Sequence, residues 1–446
     1  MSTRFGRQLA VASAIAALVA VPFPAAADEV GGGEIVVPEE APAEAVVLEP
    51  VAEESCCRTV PPLGYFDDTM DAAARWMQDH KLTIGSGLST SFVWNFNDPA
   101  DHRTGLRGLN TQHSRYFVDL WQLTLANTPE PEPGDFGGLV QIDAGRIARR
   151  IKADWNGSGT VGDTQFEGHE FELQQAWIAY NIPVGDGLLL RGGKFNTLLG
   201  SEVIEPWQNA NMTRSYLFSW AVPFTHTGGT LRYAFTDMVA LEGGAVVGWD
   251  NFEDSNDSAS ALGALSLTPN DRFSLTVSGI VGPEQACEGD GVLFPNGKGC
   301  NSNYRGVVDV VAAMNPIENL DVTLEYLYGS EDKASLINPG RHAVWTGFSG
   351  ILDYQILDCL SAAVRGEWFQ DAQGSRLAAA LADVGLEPQR LTVWEVSFDL
   401  MAKLSDTVYV RTEYRHDEAD RDVFRSGKSI LQAGQDAVGV ELGYFF

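Results

Sequence analysis

The chain is poor in basic residues and has no long apolar runs beyond its first residues. It carries 30 Lys and Arg against 60 Asp and Glu, a formal net charge of -30 over 446 residues. Nucleic-acid binding is therefore implausible, because phosphate backbones are held by Lys and Arg. Downstream of the N-terminus, charged residues interrupt every stretch before it reaches the roughly 18 to 20 apolar residues of a spanning helix. This pattern excludes a helical membrane protein.

Histidine and cysteine are also scarce. The seven His residues are scattered singly, so no zinc-type cluster, metal or cofactor is expected. Among the five Cys residues, Cys287 and Cys300 bracket the stretch "CEGDGVLFPNGKGC" and would close a short loop if bonded in an oxidising compartment. Cys56, Cys57 and Cys359 receive no assignment.

The first 27 residues are typical of a Sec-type signal peptide. Arg4 and Arg7 precede an apolar run that ends near Val21, and three alanines at 25–27 supply a cleavage site. The alternative is an N-terminal membrane anchor, for which the run is too short. The mature chain is therefore expected to leave the cytoplasm.

Two segments separate the signal peptide from the rest of the chain. Residues 28–62 are rich in Pro, Ala and Glu without a helix or strand period, which predicts a flexible acidic linker in the periplasm. In residues 63–80, Met70, Trp76 and Met77 fall at helical spacing and predict a short amphipathic helix. Its simplest interpretation is a packing segment without a function of its own.

The remaining sequence has the period of two that is typical of β-strands. In "WEVSFDLMAK", Trp394, Val396 and Phe398 share one face, while Glu395 and Asp399 share the other. About sixteen such segments follow one another, and the third is predicted to run over 136–150. One face of each strand is apolar and the other is polar or ionisable.

The connections between these strands decide between a soluble sandwich and a barrel. Short turns such as 183–186 and 404–406 alternate with long connections such as 97–114 and 417–433. Hairpins of a membrane barrel give this alternation when short turns face the periplasm and long loops face the medium. Residues 81–446 therefore predict an all-β, transmembrane antiparallel up-and-down β-barrel of about 16 strands in the outer membrane lipid.

The C-terminus and several strand ends carry aromatic residues. In the terminal "ELGYFF", Tyr444 and Phe446 fall on the same face as Leu442, which places an aromatic chain end at the membrane interface. Other residues predicted to form an aromatic girdle are Trp94, Trp249, Tyr328, Trp368 and Tyr414.

Two stretches resemble known outer-membrane proteins. Bacterial outer-membrane barrels end in a strand like "DAVGVELGYFF", and the resemblance implies that Tyr444 and Phe446 are read by the barrel assembly machinery. The stretch "GGKFNTLLGSEVIEPWQNANMTRSYLFSWAVPFTHTGG" resembles the OmpL-like β-barrel porins. This resemblance implies a porin that passes small hydrophilic solutes or ions passively and that is able to form a homotrimer.

The third long loop, residues 199–221, is the candidate pore constriction. In general porins this loop folds into the lumen, so the resemblance makes Glu202, Glu205 and Arg214, with Lys194, the constriction candidates. Opposed charges in a narrowing favour polar solutes, whereas rings of one sign select ions. The alternative for each residue is a salt bridge that braces the barrel. Candidates for the pore wall, from their place on polar strand faces, are Arg365, Glu367, Arg411, Glu413 and Arg415.

Two other classes of function fit the sequence less well. We expect no enzyme, because His113 and Ser114 are adjacent and point to opposite strand faces, and because "SGKS" at 426–429 lacks the upstream Gly of a phosphate-binding loop. The rival hypothesis is a non-conducting barrel that serves as a surface adhesin or structural protein. A barrel of about sixteen strands encloses a water-filled bore unless it is plugged, which favours the channel. The solute and the ion preference stay open.

Overall fold

The computed structural model describes part of the chain. The described residues are 75–109, 111–152, 171–254, 256–285, 300–428 and 430–446. The predicted signal peptide, the acidic linker and Cys287 of the predicted disulfide lie outside them. Of the predicted helix 63–80, the described portion is helical over 75–79. Among the described residues, no helix is both long and apolar enough to cross a membrane.

In the described residues, sixteen antiparallel strands form one closed barrel. They are β1 (Leu82–Asn95), β2 (Arg115–Asn127), β3 (Phe136–Ala144), β4 (Phe171–Ile182), β5 (Leu188–Asn196), β6 (Thr225–Thr236), β7 (Val239–Val246), β8 (Ser260–Asn270), β9 (Phe273–Pro283), β10 (Tyr304–Ile317), β11 (Leu320–Glu331), β12 (Ala343–Leu357), β13 (Leu360–Asp371), β14 (Leu391–Lys403), β15 (Val408–Ala419) and β18 (Gly434–Phe445). A hairpin of β16 (Phe424–Ser426) and β17 (Ile430–Gln432) lies between β15 and β18.

Short helices lie in the long connections. They are α1 (Arg146–Ile151), α2 (Ala378–Ala382), two 3₁₀ turns (Pro206–Gln208 and Cys300–Ser302) and one π-helical turn (Leu217–Ala221). Each barrel strand pairs with its neighbours along the chain, and β1 pairs with β18 to close the ring. The predicted barrel class and strand number are confirmed.

The short and the long connections lie at opposite ends of the barrel, as the sequence predicts. At one end the strands are joined by turns such as 237–238 and 271–272, whereas at the other end they are joined by connections such as 96–114 and 372–390. Described parts of the long connections pack inside that end of the barrel. With residues of the strands they form an apolar cluster that includes Leu106, Trp345 and Leu381.

The predicted faces are confirmed along most strands. In β14, Phe398 and Leu400 are exposed on the outside, while Glu395 and Asp399 are buried inside. Four of the five predicted girdle aromatics are exposed. The prediction for Trp249 is wrong, because this residue is 3% exposed and belongs to the interior cluster. Strand β7 ends before it, and the positive φ of Gly248 (135°) turns the chain inward.

The predicted third strand is too long at its C-terminal end. Strand β3 ends at Ala144, where Gly145 adopts a φ of 112° that favours glycine, and α1 follows. Ile147 and Ile151 are spaced i and i+4, so they share one face of α1 and join a buried apolar cluster. Their helical spacing was the signal against a continued strand.

The C-terminus is tied into the barrel. The Phe446 amide donates to the Ser86 carbonyl at 3.0 Å, and the Phe446 carbonyl accepts from the Ser86 amide at 3.1 Å. The Phe446 ring is 60% exposed on the outside and lies 5.9 Å from the Tyr444 ring. An apolar aromatic end on so acidic a chain is therefore a paired strand with an outward, lipid-facing ring. Its reading by the assembly machinery stays a prediction.

Candidate pore constriction

The connection from β5 to β6 folds into the barrel, and we call residues 197–224 the inward loop. Near its start, the Gly200 amide donates to Asp309 Oδ2 on β10 at 2.7 Å. Further along, Glu205 Oε1 accepts hydrogen bonds from Gln122 Nε2 on β2 and Gln141 Nε2 on β3, both at 3.0 Å. Strands β2 and β10 lie on opposite sides of the ring. The inward loop therefore spans the lumen.

Carboxylates of the wall hold the main-chain amides of the inward loop. Glu367 on β13 accepts the consecutive amides of Tyr216 at 2.7 Å and Leu217 at 2.6 Å. Asp399 on β14 accepts the Met212 amide at 2.9 Å. The other wall acids that accept loop amides are Asp309, Glu325 and Glu413. Because amide donors are present in every residue but proline, this grip depends little on the loop side chains.

Arginines of the wall hold the loop carbonyls in the same way. Arg411 donates to the carbonyls of Asn209 at 2.7 Å and Pro206 at 2.9 Å. Arg365 donates to the Thr213 carbonyl at 2.6 Å. Acids of the wall thus accept hydrogen bonds from main-chain amides of the loop, and arginines of the wall donate hydrogen bonds to its main-chain carbonyls.

Arg365 and Arg415 also form a buried ion-pair network. Arg365 contacts Glu395 at 2.6 Å and Glu202 of the inward loop at 2.8 Å. Arg415 contacts Asp417 at 2.7 Å and the second oxygen of Glu395 at 3.6 Å. The structure therefore brings Glu202 together with the predicted wall arginines. In this network the side chains are buried and act as braces of the inward loop.

The other predicted constriction residues lie in separate local networks. Arg214 donates to the carbonyls of Val203 at 2.8 Å and Ile204 at 3.0 Å, so it pins the inward loop to itself. Burial lowers the pKa of this guanidinium, against the nearby charge of Glu202. Lys194, on β5, pairs with Glu172 of β4.

Glycines on the inner wall make room for loop side chains. A Cβ at Gly87 of β1 would lie 2.1 Å from the ring of Trp207, and one at Gly439 of β18 would lie 2.5 Å from Met212 Cε. Both strands therefore present bare backbone to the loop. The wall therefore holds the inward loop in two ways, by hydrogen bonds to its main chain and by close packing of loop side chains against these glycines.

Comparison with known proteins agrees with this architecture. Residues 81–446 match the family described as "Putative beta-barrel porin-2, OmpL-like". The chain belongs to this porin family. No relative matches it among curated proteins.

Solved structures support the porin fold. The barrel is similar to OmpF of Salmonella typhi in complex with daunomycin, with a TM-score of 0.52, 15% identity, and coverage of 83% of this chain and 99% of that one. It is also similar to an anion-selective porin from Comamonas acidovorans, with a TM-score of 0.51, 9% identity, and coverage of 82% and 99%. A loop-deleted OmpT of Vibrio cholerae gives a TM-score of 0.51 at 10% identity, with coverage of 82% and 99%. At these identities the likeness concerns the fold alone.

One charged pair of this porin faces a less filled part of the lumen. Arg191 on β5 contacts Glu242 on β7 at 2.6 Å, and their side chains are 20% and 14% exposed. Thr230 on β6 donates to the same carboxylate at 2.7 Å. Sequence reasoning missed this pair. Both residues lie on the inward face of their strands, because the adjacent Leu190 and Leu241 are exposed on the outward face. This alternation is the sequence signal that identifies them as inward residues.

Asp250 fastens the far end of the inward loop and was also missed. Its Oδ1 accepts the amides of Phe224 at 2.6 Å and Thr225 at 2.9 Å. Burial raises the pKa of Asp250 to about 6, and these two amides, with Arg376 and Lys194, oppose the rise. The Asp250 carboxyl group, which anchors the loop, therefore has a pKa close to neutral pH, at about 6.

Replacing Asp250 by asparagine should flatten the pH dependence of stability. Because the folded pKa lies above the unfolded value, protonation of Asp250 stabilises the fold fully below about pH 4, and this contribution is lost as pH rises through about 6. The loss is on the order of 2 to 3 kcal/mol. The asparagine side chain keeps an acceptor oxygen without the charge. Urea unfolding in detergent at about pH 4.5 and about pH 7.5, on either side of the shifted pKa, measures the difference.

The control for this experiment is Glu253→Gln, which removes an exposed acid from the same loop. We expect its pH dependence to match that of the wild type. An Asp250→Asn barrel whose stability changes with pH as much as the wild-type barrel would contradict the assignment.

Proposed function

We propose that this porin lets small hydrophilic solutes or ions diffuse passively across the outer membrane, through a lumen narrowed by the inward loop. The observation that carries the proposal is the set of hydrogen bonds between the barrel wall and the main chain of the inward loop. In these bonds, wall carboxylates accept from loop amides and wall arginines donate to loop carbonyls. A loop held from opposite walls gives a constriction of fixed width. Transport of polar solutes needs such a fixed, charge-lined narrowing.

Within this proposal the predicted site residues have two different roles. Glu202, Glu205 and Arg214 set the position of the inward loop through buried bonds, and Lys194 braces β4 against β5 beside it. The solute passes instead along β5 to β9, where inward side chains such as Ala264 and Thr276 are partly exposed. There the half-buried Arg191–Glu242 pair is the charge that a passing ion meets.

Reversal potentials in planar bilayers under a salt gradient test this assignment. Arg191→Gln leaves Glu242 without its basic partner on the proposed solute path, so selectivity should move toward cations, and Glu242→Gln should move it toward anions. The control Glu253→Gln, in an outer loop, should leave the reversal potential unchanged. Equal reversal potentials for all four proteins would contradict a path beside this pair.

Export and assembly complete the proposal. We expect residues 1–27 to be removed as a signal peptide, and Tyr444 and Phe446 to be read by the assembly machinery. We also propose a homotrimer, which is the form recorded for OmpT of Vibrio cholerae, a protein similar to this chain at a TM-score of 0.50 and 10% identity. Size measurement of the refolded barrel in detergent tests the trimer.

A non-conducting barrel is the second candidate, and one observation favours it. At the end of the long connections, the interior is packed with buried apolar side chains, including Trp345, Phe369 and Phe424. Such packing narrows the bore from that side. A properly inserted barrel that stays electrically silent would support a surface adhesin or structural role.

A further inference from the structure

A buried carboxylate that accepts no hydrogen bond of normal geometry lies where the inward loop meets β3. Asp143 is 0% exposed, and both of its carboxylate oxygens lack such a partner, although the side-chain amides of Gln122 and Gln141 lie close to it. In the strand register it lies opposite Gln122 of β2 and Glu172 of β4. An ionised carboxylate out of water is costly unless it is paired or coordinates a metal. Either protonation of the carboxyl group or a nearby positive charge would offset this cost.

A β-bulge places a second buried acceptor on β4, the strand beside β3. Gln141 of β3 pairs with Gln175 of β4, but Ile142 pairs with Leu173, so Gln174 is an extra residue. Bulges re-aim side chains. Gln174 is fully buried, and its Oε1 has no hydrogen-bond partner, although its Nε2 is used. Amide oxygens are ligands for hard cations.

The inward loop contributes a second negative charge. Glu205 Oε1 accepts the amides of Gln122 and Gln141, the residues that flank Asp143 across the strands and along β3. This arrangement leaves Glu205 Oε2 outside those two bonds. The nearby Lys194 pairs with Glu172. Two negative charges, on Asp143 and Glu205, therefore remain for one cation to neutralise.

We propose that Asp143, Gln174 and Glu205 bind one hard divalent cation, and that Ca²⁺ fits best. All the donors are oxygens, and Ca²⁺ accepts carboxylates, amide carbonyls and water in an irregular shell, whereas Mg²⁺ demands near-ideal octahedral geometry. In the described residues no three His, Cys, Asp or Glu side chains form a metal group. The site accordingly uses two carboxylates, with amide oxygens and water completing the shell. The cation fastens the inward loop to β3.

Calcium titration of the refolded full-length chain, stripped with EDTA in detergent, tests the site. Calorimetry should find Ca²⁺ binding that Asp143→Asn weakens by more than about a hundredfold, beyond the roughly 10- to 100-fold that the loss of an outer-shell partner typically causes. Gln174→Leu should also weaken binding. The control Asp321→Asn removes an exposed acid on the distant strand β11, and it should bind as the wild type does.

Thermal unfolding gives a second readout that does not depend on conduction. Ca²⁺ should raise the Tm of the wild-type barrel and leave that of Asp143→Asn unchanged. In EDTA the variant should fold and be at least as stable as the wild type, because it has lost an unneutralised charge. Binding that Asp143→Asn does not weaken, or a wild-type Tm that responds to pH and not to Ca²⁺, would overturn the proposal.

Discussion

Arg365→Ala should loosen the inward loop and raise both the conductance and the current noise of the channel. Arg365 is fully buried and contacts Glu202, Glu395 and the Thr213 carbonyl. Its removal leaves Glu202 without a cation and Glu395 with only the longer contact to Arg415, and breaking a buried pair in this way costs about 3 to 5 kcal/mol. Urea unfolding measures the stability, and single-channel recording measures the conductance.

Two further variants sharpen this experiment. Arg232→Ala removes an exposed arginine from β6, and its effect on stability should stay within about 0.5 kcal/mol. Arg365→Met combined with Glu202→Gln and Glu395→Gln removes the charges together, and it should recover part of the lost stability because no buried charge is left alone. An Arg365→Ala variant that is as stable as Arg232→Ala would contradict the role of Arg365 as a brace of the inward loop.

A methyl group at Gly87 should displace the inward loop. The Cβ of Gly87→Ala would lie 2.1 to 2.6 Å from three ring atoms of Trp207, so the indole has to leave its place on β1. Overpacking of this kind typically costs about 1 to 3 kcal/mol. We expect a lower Tm and an altered conductance, because Trp207 sits in the loop's 3₁₀ turn beside Glu205.

Gly85→Ala is the matched control on the same strand. Its Cβ would lie 3.5 Å from the Phe446 carbonyl, which is an ordinary contact. Alanine in a strand is also better than glycine by roughly 0.5 to 1 kcal/mol. The control should therefore be as stable as the wild type or more stable. Equal behaviour of the two alanine variants would show that the loop does not pack on β1.

Much of the barrel could be predicted because its signals are local. Strand parity, as in the alternation of Phe398 and Asp399, shows in adjacent residues, and the sorting of short and long connections shows in their lengths. Departures arose at glycines with positive φ, Gly145 and Gly248, where the chain turns inward and the period of two ends. The buried position of Trp249 follows from the turn at Gly248.

The site was only partly predictable, because its partners are distant in sequence. Glu202 and Arg365 are separated by 163 residues, and Glu367 holds amides about 150 residues away. Polar strand faces identify inward residues but not what they contact. Hydrogen bonds to main-chain atoms do not require particular side chains in the loop, so the loop sequence does not reveal them. Asp143 and Asp250 were overlooked for the same reason, since their importance lies in burial and in the backbone around them.

The most direct test of the central claim is single-channel conductance with and without the tip of the inward loop. Residues 203–216 would be replaced by a short Gly/Ser linker in the refolded barrel. We predict small, stable steps for the wild type and several-fold larger steps for the variant, because the loop spans the lumen. Equal conductance in the two proteins would contradict the claim that the inward loop sets the width of the pore.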